Sequence, residues 1–179
     1  MNLPNKLTLI RIILIPVFAV LALCPISHGD IWAAVIFVIA AVTDALDGNI
    51  ARSRGLVTNF GKFADPLADK MLVGTALICL AGMGRLPAWA FIIILCRDFA
   101  VDGLRLLAVE KGEVIAASRW GKLKTTFQMI MVTTLLLGSL SFWPHPLYEI
   151  ISWALIIIAV GLTIWSGYDY IRKGWKYIK

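Results

Sequence analysis

Residues 43–70 read TDALDGNIARSRGLVTNFGKFADPLADK, and four aspartates in this stretch, Asp44, Asp47, Asp65 and Asp69, stand between long apolar runs. Charge is expensive in such surroundings. One aspartate near the middle of a membrane span costs ~2.5 to 3.5 kcal/mol on insertion scales, so four in one short segment need a cation or a polar cavity to offset them. Their spacing is helical: Asp44 and Asp47 are i, i+3 neighbours and Asp65 and Asp69 are i, i+4, so each pair shares one helical face. A loop over Ser53 to Phe60 that turns the chain back brings the two acidic faces together.

The surrounding sequence says what kind of protein carries these acids. The chain has 179 residues, 60% of them hydrophobic and 16% charged, with a mean hydropathy of +0.84. That is too apolar for a soluble domain and predicts an all-α, polytopic membrane protein forming one helical bundle over residues 1–179. Six stretches approach the ~20 residues needed to cross ~30 Å of hydrocarbon. They are Leu7 to Pro25, Ile31 to Ile50, Phe63 to Met83, Leu86 to Arg105, Thr125 to Phe142 and Leu147 to Tyr170. The first has no small-residue cleavage site after it and contains Arg11 and Pro16, which argues for a retained helix. Of the 17 lysines and arginines, Arg85 alone falls in a connection on the far side. The positive-inside rule therefore places both termini in the cytoplasm. The net charge of +6 reads as topology and contact with anionic lipid; no basic and aromatic groove suggests nucleic acid. Cys24, Cys79 and Cys96 have no metal or redox spacing, and His28 and His145 fall in predicted outer loops.

The second span is long enough only if it includes its acids. From Ile31 the uncharged run ends at Val42 or Thr43, and only continuation through Asp44, Asp47 and Ile50 gives ~20 residues. The acids therefore sit at the cytoplasmic end of the span. Gly48 and Ala51 lie nearby on the same side, where small residues admit another helix or a ligand. In the third span Gly61 precedes Asp65 by one turn, and Pro66 either opens a helix or kinks one. Four carboxylates converging without a cation would repel and drive one another toward the neutral form. Two divalent cations are the better solution, and all-oxygen ligands suit hard ions such as Mg²⁺ or Mn²⁺. Arg52, one turn beyond Gly48, offers a fixed fork for phosphate or ribose oxygens. Such a centre suits a diphosphate-bearing substrate; the competing reading is a helix-packing network of Asp and Arg pairs.

Together these positions read D-x2-D-G-x2-A-R-x8-G-x3-D-x3-D, with Asp44, Asp47, Gly48, Ala51, Arg52, Gly61, Asp65 and Asp69 fixed. A chance match at one site has a probability on the order of 10⁻⁹ to 10⁻¹⁰ at average residue usage. The pattern resembles the CDP-alcohol phosphatidyltransferase family at all eight positions. The opening NLPNKLTLIRIILIP, the segment RDFAVDGLRLLAVEKG and the stretch AASRWGKLKT resemble the bacterial branch of that family whose acceptor is glycerol 3-phosphate. The likeness runs from Asn2 to about Gln128. It implies six transmembrane helices with a short amino-terminal interfacial segment before Leu7, and a homodimer in the bacterial inner membrane with its site facing the cytoplasm. It also implies displacement of CMP from CDP-diacylglycerol by the hydroxyl of glycerol 3-phosphate. On that resemblance Asp44, Asp47, Asp65 and Asp69 surround two metal ions, Asp69 is the general base, and Asp44, Gly48, Arg52 and Gly61 contact CDP-diacylglycerol.

A dianionic acceptor needs cations of its own. The fourth span carries Arg97, Asp98, Asp102 and Arg105 at depths where unpaired charge is disfavoured, and Arg97 and Arg105 are eight apart, two turns along roughly one face. Arg97, Arg105 and Lys122 are the expected phosphate binders. Arg119, Lys122 and Lys124 also read as juxtamembrane anchors for anionic lipid, and Arg105 has Asp102 as a possible partner. Six of the seven tryptophans, Trp89, Trp120, Trp143, Trp153, Trp165 and Trp175, fall mostly near predicted span ends, as an aromatic belt requires. Inositol phosphate, serine or phosphatidylglycerol are alternative acceptors for the same chemistry. A divalent-cation carrier is an alternative of another class, but its acids should line a path across the membrane, and these four cluster at one edge.

Overall fold

A computed structural model describes the backbone of residues 3–53, 59–113, 115, 118–139 and 144–178, and the side chains of those residues except 3, 4, 44–53, 59, 60, 62, 63, 139, 176 and 178. Six α-helices and no strand occur among the described residues: α1 (Leu3–Leu23), α2 (Gly29–Ser53), α3 (Asn59–Gly82), α4 (Ala88–Glu110), α5 (Arg119–Leu136), followed by a 3₁₀ turn over Leu137–Ser139, and α6 (His145–Ile178). One helix falls on each apolar stretch of the sequence. The shortest, α5, has 18 residues, or ~27 Å at 1.5 Å per residue. Two segments, Asn5–Leu23 and His145–Trp175, are by length and apolar content long enough to cross a membrane.

α1 differs from expectation at its start. It begins at Leu3 and passes Leu7 without a break, so the segment before Leu7 is its first turn. Pro4 is tolerated there because the first turn has no intrahelical partner for its missing N–H. α2 runs through Asp44, Asp47 and Ile50 to Ser53, as the length argument requires. α3 runs through Pro66, which therefore lies inside a helix rather than opening one.

The chain divides into two compact units: Met1–Arg85 with Thr133–Phe142, and Leu86–Val132 with Trp143–Lys179. In the first unit α1 packs on both α2 and α3, which also touch each other. Its interior is built largely from small residues. Ala33, Ala34 and Ala40 of α2 and Ala64, Ala68 and Ala76 of α3 are buried, with Phe18 and Phe37 meeting at a ring separation of 6.1 Å. Several large aliphatic side chains point outward: Ile10, Ile13 and Val20 of α1 and Ile39 and Val42 of α2 are each more than half exposed. Small residues inside and large apolar ones outside is the arrangement that suits lipid rather than water.

The turn from α1 to α2 is tight. His28 takes a left-handed backbone (φ 57°), and a Cβ on Gly29 would stand 2.4 Å from the Leu21 carbonyl oxygen, so only glycine fits. Asp30 in the first turn of α2 receives Arg85 Nη2 at 3.0 Å, while Arg85 Nη1 donates to the Leu135 and Leu136 carbonyls, each at 3.1 Å. Those carbonyls belong to the last turn of α5, where helix geometry supplies no N–H partners. Arg85 is thus a clasp joining the start of α2 to the end of α5.

In the second unit α4 packs on α6; Ala90, Ile94, Val101, Leu104 and Ala108 of α4 and Ile156, Ala159, Thr163, Ser166 and Tyr170 of α6 are buried. Gly112 (φ 76°) ends α4, and Glu113 N donates back to the Ala108 carbonyl at 2.9 Å. Lys111 Nζ donates to the Tyr177 carbonyl at 3.0 Å and the Tyr177 hydroxyl to Glu113 Oε2 at 2.5 Å, which ties this connection to the end of α6.

Arg85→Ala should lower unfolding stability by about 1–3 kcal/mol, the value of charge-assisted hydrogen bonds lost from a part-buried clasp. Arg85→Lys should recover only part of that loss, because an ammonium cannot fork across two carbonyls and a carboxylate. Thermal unfolding in detergent measures both.

Candidate functional site

The aspartate motif lies on the ends of α2 and α3 that face one another along the chain. The side chains of Asp44, Asp47, Gly48, Ala51 and Arg52 lie outside the described residues; their backbone belongs to α2. On α3, Gly61 is buried and Asp65 and Asp69 are half-buried. Because α3 is continuous through Pro66, the two aspartates stay one turn apart on one face. Ala64 and Ala68, buried on the same helix, let α1 approach closely.

α1 contributes a polar face that sequence reasoning passed over. Asn5, Thr8 and Arg11 recur every third residue and are all buried, Thr8 at 1% exposure and Arg11 at 2%. Thr8 Oγ1 donates to Asp65 Oδ1 at 2.5 Å. In the sequence Arg11 argues only against a cleaved leader. The signal was present: polar residues at i, i+3 and i+6 in an otherwise aliphatic helix must face protein rather than lipid.

The donor set fits a hard divalent cation. Asp65 and Asp69 offer carboxylate oxygens only, and Thr8 fixes the orientation of one of them from outside, as the partners of metal-binding carboxylates do. Among the described residues no group of three or more His, Cys, Asp or Glu side chains converges; Asp44 and Asp47 fall outside them.

The second unit holds a separate cluster of charge. Arg97 Nη1 donates to Asp98 Oδ1 at 3.0 Å and Nη2 to Ser166 Oγ at 2.9 Å. Lys124 Nζ reaches both oxygens of Asp98, at 2.7 and 2.8 Å. Arg105 Nη2 donates to the Tyr170 hydroxyl at 2.7 Å. Arg97 and Lys124 both pair with Asp98. The Nε atoms of Arg97 and Arg105 are buried and have no acceptor among the described residues. Unmet donors on two guanidinium groups are what an incoming phosphate would satisfy.

The expected phosphate binders are therefore only partly brought together. Arg97 and Arg105 lie two turns apart on α4, as their spacing implies, and share Tyr170. Lys122 is exposed on α5, and no described contact joins it to either arginine. Lys124 is not a surface anchor: it is 4% exposed and ion-paired, since a buried ammonium needs a carboxylate. Unpaired charge in the fourth span implies that Arg97 and Asp98 face one another, and they do; Ser166 and Tyr170 as partners are not legible from the sequence. Ser166 and Tyr170, one turn apart in the last apolar stretch, carried the only hint.

Comparison with known proteins agrees with the motif. The sequence profile of the CDP-alcohol phosphatidyltransferase family matches residues 1–165. The chain is 45% identical over 192 aligned residues to the CDP-diacylglycerol–glycerol-3-phosphate 3-phosphatidyltransferase of Bacillus subtilis, covering 99% of this chain and 97% of that protein. It is 43% identical to the protein of the same name from Rickettsia typhi, with 96% of each chain covered. A probable phosphatidylglycerophosphate synthase of Mycobacterium tuberculosis is 39% identical, over 96% of this chain and 81% of that one. With the family profile covering all eight motif positions and identity running nearly end to end, this chain belongs to the CDP-alcohol phosphatidyltransferase family.

Proposed function

We propose that the protein transfers the phosphatidyl group of CDP-diacylglycerol to the hydroxyl of glycerol 3-phosphate, giving phosphatidylglycerophosphate and CMP. The observation that carries the acceptor assignment is the pair of arginines on α4 with unmet Nε donors, which suits a phosphomonoester dianion and would be surplus for serine. Support for the donor comes from the intact eight-residue motif and from relatives whose names specify this reaction.

In this reading Asp44, Asp47, Asp65 and Asp69 hold two divalent ions, Mg²⁺ or Mn²⁺. Bound there, the ions supply the charge that neutralises the diphosphate and the departing CMP. Gly48 and Gly61 give the nucleotide close approach to the backbone, and Arg52 holds it through its guanidinium fork. Thr8 keeps the Asp65 carboxylate turned to one side. Asp69 takes the proton from the acceptor hydroxyl as that oxygen bonds to the phosphatidyl phosphorus, and the bond from that phosphorus to the CMP oxygen breaks. Arg97, Arg105 and Lys122 bind the acceptor phosphate.

The same reading makes residues 1–179 one functional membrane domain. All six helices cross the bacterial inner membrane, with both termini and the site on the cytoplasmic face, and two copies associate.

Purified protein incubated with CDP-diacylglycerol, Mg²⁺ and separate acceptors should release CMP with glycerol 3-phosphate and not with serine. Asp69→Asn should lower that rate by about 10²-fold or more, the usual contribution of a general base. No CMP with any acceptor, or an undiminished Asp69→Asn rate, would reject the assignment. Thr8→Val should weaken Mn²⁺ binding by about tenfold, the low end for loss of a partner that orients a metal ligand, while Thr8→Ser stays near wild type. Titration of the paramagnetic ion measures this without turnover.

A further inference from the structure

The two α4 arginines are held by one residue that has no assigned part in the reaction. Tyr170 on α6 is 2% exposed. The guanidinium carbons of Arg97 and Arg105 stand over its ring, 5.5 and 5.3 Å from the centroid. Its hydroxyl oxygen accepts from Arg105 Nη2 at 2.7 Å and from the backbone N–H of Ser118 at 3.0 Å. Ser118 in turn caps α5: its Oγ accepts from Gly121 N at 3.1 Å. One phenol therefore touches both arginines and the start of the helix that carries Lys122.

A Cβ on Gly167 would stand 3.0 Å from Arg97 Cγ, so glycine there leaves room for the arginine stem. The physics explains why an aromatic ring is used. Two guanidinium groups held close together repel. A ring face attracts each cation through its quadrupole while leaving their N–H donors open. Arg97 already spends Nη1 on Asp98 and Nη2 on Ser166, and the Nε of each arginine stays without an acceptor among the described residues.

We infer that Tyr170 is the positioning residue of the acceptor site, setting the orientation of Arg97 and Arg105 through its ring and fixing the start of α5 through its hydroxyl. The inference rests on the assignment of Arg97 and Arg105 to the acceptor phosphate. Tyr170 acts through them, so it governs acceptor binding and not CDP-diacylglycerol binding.

The test measures KM for each substrate and kcat by CMP release for wild type, Arg97→Ala, Tyr170→Phe and Tyr170→Leu. Tyr170→Phe keeps the ring and loses both hydrogen bonds, and should raise the glycerol 3-phosphate KM about threefold to tenfold. Tyr170→Leu also loses the ring and should raise it by about thirtyfold, with the CDP-diacylglycerol KM within about twofold in both. A Tyr170→Phe enzyme with the wild-type acceptor KM overturns the inference. So does a fall in kcat with both KM values unchanged, since a general structural role would give that pattern. Should Tyr170→Leu not fold, the phenylalanine variant decides alone. Arg97→Ala separates the two levels: an unchanged acceptor KM there rejects the phosphate site itself, whereas a raised one beside a normal Tyr170→Phe rejects only the tyrosine's part.

Discussion

Charge carried inside apolar helices must be met by another group, and the described side chains follow this constraint throughout. Asp65 is met by Thr8, Asp98 by Arg97 and Lys124, and Asp30 by Arg85. Thr8 with Asp65 and Lys124 with Asp98 each join two helices, and Arg85 with Asp30 joins the α3–α4 connection to α2. In a low-dielectric interior an unmatched carboxylate or guanidinium costs several kcal/mol, so these contacts select which helix faces turn inward. Packing then follows from small residues. Alanines on α2 and α3 allow α1 to come close enough for a threonine hydroxyl to reach an aspartate.

The pairings are of two kinds. Arg85 with Asp30 and two carbonyls closes a structural clasp, because its donors go to groups that helix geometry leaves unmet. Arg97 and Arg105 are different. Their Nε atoms stay unmatched among the described residues, while the aromatic face of Tyr170 holds them in place without neutralising them. Stability alone would favour satisfying those donors; leaving them open is consistent with a ligand that arrives with acceptors of its own.

Much of this was legible in the sequence, and for physical reasons. The positions of six helices follow from apolar length, and the run of α2 through Asp44 and Asp47 follows from the shortness of its uncharged part. The i, i+4 placement of Asp65 and Asp69 follows from helix geometry and survives Pro66. What escaped was pairing between distant segments. Nothing local to Thr8 says that it will meet Asp65, 57 residues away, and nothing local to Tyr170 says that it will lie under two arginines of α4. Lys124 was ambiguous for the same reason: beside Arg119 and Lys122 it has the look of a lipid anchor, and only its burial against Asp98 separates it from them.

The central claim is that the motif aspartates of α2 and α3 hold a pair of divalent ions. Mn²⁺ titration of the purified protein, followed by electron paramagnetic resonance, tests it most directly. Two ions per chain with a spin-coupled spectrum are expected, with binding lost when Asp65 and Asp69 are both changed to asparagine. An absence of saturable binding, or binding that the double change leaves intact, would contradict it.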